Sequence, residues 1–156
     1  MAHCIRAFLG HSKNITLLSE YVSANQIQLP QGLSMIFLTD SLFDKITEAF
    51  NTHDSITVDG FIFLTSAVVS VLEKHSQHDK LAYFETDYFG GKGTQSAALY
   101  EGGKQTLPPI FTDEMNIKLP NDKKAINVIL KQFGIRKSIG KDEFESIGLD
   151  LFRKME

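Results

Sequence analysis

The spacing of apolar positions predicts alternating strands and helices in the first part of the chain. The apolar runs at 4–9 and 33–39 are short and lack helical spacing, which is typical of buried strands. Apolar residues three and four positions apart predict helices over 14–22 and 42–50. Ser41 is placed to cap the second of these helices, because Asp44 follows it at capping-box spacing.

The remainder of the chain continues the same pattern. The predicted elements are a strand over 61–64, a helix capped by Thr65, a hairpin over about 81–101, a helix from Asn121 to Gly134 and a helical turn within 142–147. Pro108 and Pro109 force an extended segment that can hardly be a central strand. We therefore expect a single globular domain over 1–156 with an α+β fold. It would hold a mixed, largely antiparallel sheet with a central hairpin, covered by helices.

The predicted hairpin has two faces of different character. With a loop over 90–93, Phe89 would lie opposite Thr94. The face expected to join the core holds Ala82, Phe84, Thr86, Tyr88, Gln95, Ala97 and Leu99. The other face groups two acids with phenols and hydroxyls; it holds Tyr83, Glu85, Asp87, Phe89, Thr94, Ser96, Ala98 and Tyr100.

The two acids of this strand need an explanation, since a charged group is costly to bury without a partner. One explanation is contact with a partner or a ligand, and the other is structural: Asp87, for example, would bond the amides of the glycine turn. The candidate partner-binding residues are Tyr83, Glu85, Asp87, Tyr88, Lys92 and Gln95. A core position is the alternative for Tyr88, because the same register points it inward.

The sequence gives only weak indications of a phosphate-binding loop or a metal site. The Gly90-Gly91-Lys92-Gly93 run is followed by a strand, whereas a phosphate-binding loop needs a helix after it. His75, His78 and Asp79 have ligand-like spacing, but neither a cysteine nor a second cluster accompanies them. We expect no catalytic residues, no cofactor and no metal. An enzyme or small-ligand site that uses the Glu85/Asp87 face remains the alternative.

Charge and cysteine content narrow the class of protein further. The chain has 156 residues and a net charge of −3, but residues 1–102 hold 6 Lys or Arg against 11 Asp or Glu. An acidic field disfavours nucleic acid and favours a basic protein partner. Cys4, the one cysteine, is expected to be a small buried residue. No apolar run approaches the ~20 residues of a membrane span and no signal peptide is visible, so a cytoplasmic location is predicted.

Four pieces of the chain together resemble a family of small bacterial cytosolic proteins, most of them uncharacterised. They are LPQGLSMIFLTDSLFDKI, FIFLTSAVVSVLEKHS, LAYFETDYFGGKGTQSAALY and INVILKQFGIRK with DEFESIGL, which span roughly 28–149. The family signature is an acidic, aromatic strand followed by Tyr-Phe-Gly-Gly. Ser66 and Tyr100 depart from it, since a proline and a tryptophan are usual there.

In type, the chain also resembles the immunity proteins of toxin–immunity systems such as contact-dependent growth inhibition. That resemblance implies a binding module rather than an enzyme, whose partner is a cognate toxin domain. A homo-oligomer formed through an exposed edge strand is a further possibility.

Overall fold

A computed structural model describes residues 3–50 and 57–155. The strands are β1 (His3–His11), β2 (Ile27–Gln28), β3 (Leu33–Phe37), β4 (Leu81–Phe89), β5 (Lys92–Glu101), β6 (Lys104–Gln105) and β7 (Ile110–Asp113). The helices are α1 (Ser12–Val22), α2 (Asp40–Ala49), α3 (Ser66–His75), α4 (Ala125–Lys131) and α5 (Glu143–Ser146). The predicted α+β fold with a central hairpin is confirmed.

The strands of the described residues form one sheet in the order β2-β3-β1-β4-β5-β6, and β7 pairs with β5 beside β6. Each pairing of the named strands is antiparallel. The hairpin of β4 and β5 occupies the middle of the sheet, as the sequence predicts, and β1 pairs with the free edge of β4.

Both faces of the sheet are covered by helices, and this changes the interpretation of the hairpin. On one face, α1, α2 and α3 pack on Phe8, Tyr83 and Tyr100. On the other face, α4 and α5 pack on residues such as Phe84 and Leu99. The face predicted to be polar, which holds Tyr83 and Tyr100, is therefore also a core face over part of its length.

The hairpin turn is shorter than predicted. Phe89 pairs with Lys92, and Gly90 and Gly91 form a two-residue turn with φ values of 61° and 80°. Two successive positive φ angles match a type I′ turn, whose twist suits an antiparallel hairpin. The predicted pairing of Phe89 with Thr94 is wrong by two residues, and because that shift is even, each residue stays on its predicted face.

Three local predictions also need correction. Thr39, not Ser41, caps α2, by accepting a hydrogen bond from the Leu42 amide at 3.2 Å. Asn121 begins a separate 3₁₀ turn, and α4 starts only at Ala125. The predicted strand over 61–64 is absent from the described part of the chain, where a lone bridge between Thr57 and Thr65 closes the loop instead.

Two predicted helix signals are confirmed. Thr65 caps α3 by accepting from the Val68 amide at 3.5 Å. The turn predicted within 142–147 is α5, which Asp142 and Glu145 open with a reciprocal capping box.

Candidate functional site

The acidic strand changes its environment along its length. The helices α1–α3 and the 57–65 loop bury Tyr83 completely, but two residues further on Glu85 is only partly buried, and Asp87 is exposed. Phe89, the last residue of the strand, is 81% exposed. The end of the sheet nearest the hairpin turn is thus left open on this face.

Glu85 has a structural task. Its two carboxylate oxygens accept hydrogen bonds from the backbone amides of Ile62 at 2.7 Å and Phe63 at 2.6 Å. The Tyr83 hydroxyl donates to the same carboxylate at 2.9 Å. Burial, followed by the neighbouring Glu85 charge, raises the pKa of Tyr83 well above its usual value, so the phenol remains a donor. Glu85 therefore fixes the 57–65 loop against the sheet.

Further contacts hold the same loop. The Ser96 hydroxyl donates to the Gly60 carbonyl oxygen. Gly60 has a φ of +86°, and a Cβ there would lie 3.0 Å from the Cβ of Phe111, so a side chain would both strain the backbone and crowd β7. The Arg6 guanidinium stacks on the Phe63 ring at 3.6 Å from its centroid, which anchors the other end of the loop.

This loop and the open end of the sheet enclose a groove of about 200 Å³, which we call the hairpin groove. Its lining includes Cys4, Ile62, Phe63, Asp87, Thr94 and Phe111. Ile62 is 70% exposed and Phe111 is 50% exposed, so large apolar side chains border it from the loop and from β7.

Asp87 is the open acidic group of the hairpin groove. Among residues 3–50 and 57–155, no group donates a hydrogen bond to its side chain, and no cation pairs with it. The predicted structural alternative, in which Asp87 bonds the amides of the glycine turn, is therefore wrong. Arg6 also lines the groove, but its guanidinium pairs with Asp40 and donates to the Leu38 carbonyl at 2.6 Å rather than to Asp87.

Cys4 lies in the groove and is exposed, which corrects its predicted burial. As a residue near the start of β1, it faces the uncovered end of the sheet rather than the core. Partial burial of the sulfur, followed by the nearby charge of Asp87, raises the pKa of the thiol. A raised pKa leaves little thiolate at neutral pH, so we expect Cys4 to react slowly.

The six candidate residues do not form one surface. Tyr83 and Gln95 are buried, at 0% and 6% exposure, and offer almost no side-chain surface. Tyr88 and Gln95 lie on the opposite face of the hairpin, where Oε1 of the Gln95 side chain accepts from the Ile126 backbone amide at 3.1 Å. Lys92 is exposed beside the turn, and Glu85 and Asp87 line the groove.

The apolar border of the groove is not predictable from the sequence. Ile62 and Phe63 fall in the segment predicted as a strand, and Phe111 follows the double proline. The sequence holds no signal for this border, because 61–64 are all apolar and only the structure shows that Phe61 and Leu64 are buried while Ile62 is exposed. Only the fold brings that loop and β7 to the end of the hairpin.

Comparisons with other proteins leave the resemblance a prediction: neither a known protein family, nor a curated protein, nor a solved structure matches the chain. Within the described residues, no group of three or more His, Cys, Asp or Glu side chains is placed to hold a metal. Across 3–50 and 57–155, no helix combines the length and apolar character of a membrane span.

Proposed function

We propose that this protein is a cytoplasmic immunity-type binding protein, which neutralises a bacterial toxin domain by direct association through the hairpin groove. The observation that carries the proposal is the Asp87 carboxylate, which has no partner among the described residues and lines the groove with the exposed side chains of Ile62 and Phe111. The exposed Phe89 follows two positions later on the same face of β4. Apolar anchors around a polar group are the usual composition of a protein-binding hot spot.

The apolar part of the proposed interface supplies affinity. Full burial of a Phe or Ile side chain is worth about 1.5–3 kcal/mol relative to exposure. Phe89 is 81% exposed and Ile62 is 70% exposed, so each has most of that gain still available to a partner. Residues that are already buried, such as Tyr83, contribute instead by supporting the surface.

The acidic part of the proposed interface orients the partner and raises the rate of association. Residues 1–102 hold 6 basic against 11 acidic side chains, and Asp87 is the acid of the groove for which the described residues supply no partner. A field of this sign accelerates the approach of a basic partner. We expect a Lys or Arg of the toxin domain to pair with Asp87.

The structural role of Glu85 also favours binding to a macromolecule. Because its carboxylate fixes the 57–65 loop, the groove is formed before the partner arrives, which lowers the entropy cost of association. The same bonds weaken the enzyme alternative. The Glu85 carboxylate already accepts three hydrogen bonds, so the two acids do not form an available acid–base pair.

The test is calorimetric titration of the toxin domain encoded beside this gene into the purified protein. We expect a complex at micromolar concentration or below, and a loss of at least about tenfold in affinity, or ~1.4 kcal/mol, for Asp87→Asn and for Phe89→Ser. Glu20→Gln and Leu17→Ser are matched controls, since both residues are exposed on α1. A partner that does not bind at micromolar concentration, or that binds all four variants equally, contradicts the proposal.

A further inference from the structure

A second and larger cavity lies on the other face of the same hairpin. Its volume is about 390 Å³, within the range of small-molecule sites. Tyr88 and Gln95 of the hairpin contribute to its lining, together with His3 from β1. It lies on the opposite side of the sheet from the hairpin groove, so it needs a separate explanation.

A buried carboxylate organises one part of this cavity. Glu114 is 3% exposed; it accepts from the Tyr88 hydroxyl at 2.5 Å and from the Leu119 amide at 2.9 Å. Lys124 Nζ lies 3.6 Å from the same carboxylate. Burial opposes ionisation, but these partners prevail and hold the pKa of Glu114 below its ordinary value. Glu114 is therefore a fixed charge that positions Lys124 at the cavity.

The two chain segments that border the cavity carry opposite charge. The segment before α4 contributes Lys118 and Lys124 together with the buried Glu114, whereas the segment around α5 contributes Asp142, Glu145 and Asp150. Asp142 and Glu145 accept from each other's backbone amides in the capping box, so Asp150 is the acid of this segment that the proposal uses. The two segments meet at Asn127, whose amide donates to the Asn121 carbonyl at 2.9 Å and to Asp142 at 3.0 Å. Lys118 has no hydrogen bond or ion pair within the described residues, so its charge is available to a ligand.

Three stacked rings give the cavity a rigid apolar side. The His3 ring lies between Tyr88 and Phe144, with centroid distances of 5.6 and 5.1 Å. Nδ1 of His3 is hydrogen-bonded to the Thr86 hydroxyl at 2.8 Å, so Nε2 is the ring nitrogen left for another partner.

From this geometry we propose that the second cavity binds a compact zwitterion of the free α-amino acid type. Its carboxylate would contact Lys118 and Lys124, and its ammonium group would contact the carboxylate of Asp150. A ligand with one charge would satisfy only one of the two bordering segments. The proposal does not depend on the function proposed for the hairpin groove, because the two sites lie on opposite faces of the sheet.

The experiment is a thermal-shift screen of the purified full chain against the twenty amino acids at 10 mM, followed by calorimetry of the strongest ligand. A ligand present at about ten times its Kd should raise the Tm by about 3 °C or more. The two matched probes are the same compound without its carboxylate and the same compound without its amino group. Each should bind about fivefold more weakly or worse, because each loses one charged contact.

Two variants locate the site. Lys118→Gln and Asp150→Asn should each weaken binding about fivefold or more, while Glu20→Gln on α1 should leave it unchanged. Urea unfolding of each variant confirms that it is folded. The proposal is overturned if no amino acid raises the Tm by 1 °C, if either singly charged probe binds as well as the amino acid, or if both variants bind like the wild type.

Discussion

Replacing Glu85 by Gln separates the structural acid of the hairpin from the one that is free to bind. In the wild-type protein one oxygen accepts from the Ile62 amide, and the other accepts from the Phe63 amide and the Tyr83 hydroxyl. A Gln side chain offers only one oxygen, so its NH2 group must face one of these donors. The variant therefore loses at least one charge-assisted hydrogen bond and weakens the others.

The expected loss follows from these contacts. A hydrogen bond to a charged group contributes about 1.5–3 kcal/mol. Because the bonds to the 57–65 loop lie near solvent, a freed amide can partly rehydrate, and we expect Glu85→Gln to lower the free energy of unfolding by about 2 kcal/mol. For a chain of this length that corresponds to a fall in Tm of about 4–8 °C.

Asp87→Asn is the matched control, two residues away on the same strand face. Its carboxylate accepts no hydrogen bond within the described residues, so its stability should stay within about 0.5 kcal/mol of the wild type. Urea unfolding followed by far-UV circular dichroism measures both variants. If Asp87→Asn proves as destabilising as Glu85→Gln, or if Glu85→Gln changes stability by less than about 0.5 kcal/mol, the assignment of the two roles is refuted.

Two further predictions concern the loop and the buried acid on the other face. Gly60→Ala should cost about 1–3 kcal/mol, and more than Gly140→Ala, because both positions have positive φ but only at Gly60 would the Cβ meet Phe111; equal losses in urea unfolding would contradict this. Burial opposes ionisation of Glu114, but hydrogen bonds led by that of Tyr88 outweigh it and depress the pKa. The stability that Glu114 contributes is therefore complete above its unfolded-state pKa of about 4.5, and it is lost as the pH falls through the lower folded-state pKa. Glu114→Gln should therefore flatten the fall in unfolding free energy between pH 5 and pH 3, and an unchanged slope would refute the role of Glu114.

The sequence predicts those parts of the fold that depend on local pattern. The period of apolar residues identifies the helices and the long strands, and Thr65 and Asp142 have the residue types and spacing of helix caps. The predicted faces of the hairpin residues are also correct, because they depend only on the alternation of side chains along each strand. The turn length does not follow from pattern, since four candidate residues between Phe89 and Thr94 permit more than one turn.

The candidate site depends on long-range contacts that a local pattern does not contain. The sequence leaves open whether Glu85 is structural or binds a partner, and in the structure two amides more than twenty positions away donate to its carboxylate. Coverage by helices on both faces, rather than on one, explains why Tyr83 is core although it alternates with the acids. Asp87 is exposed because the helices and the 57–65 loop that cover Tyr83 do not extend over it.

Protection of Cys4 from alkylation tests the central claim most directly. Cys4 is the one cysteine of the chain and is exposed in the hairpin groove, so a mass shift on treatment with a maleimide at pH 8 reports on that surface alone. With a saturating concentration of the toxin domain encoded beside this gene, we predict that labelling slows by about tenfold or more, because the partner covers the groove. Labelling of the complex at the rate of the free protein would show that the partner binds elsewhere and would contradict the account.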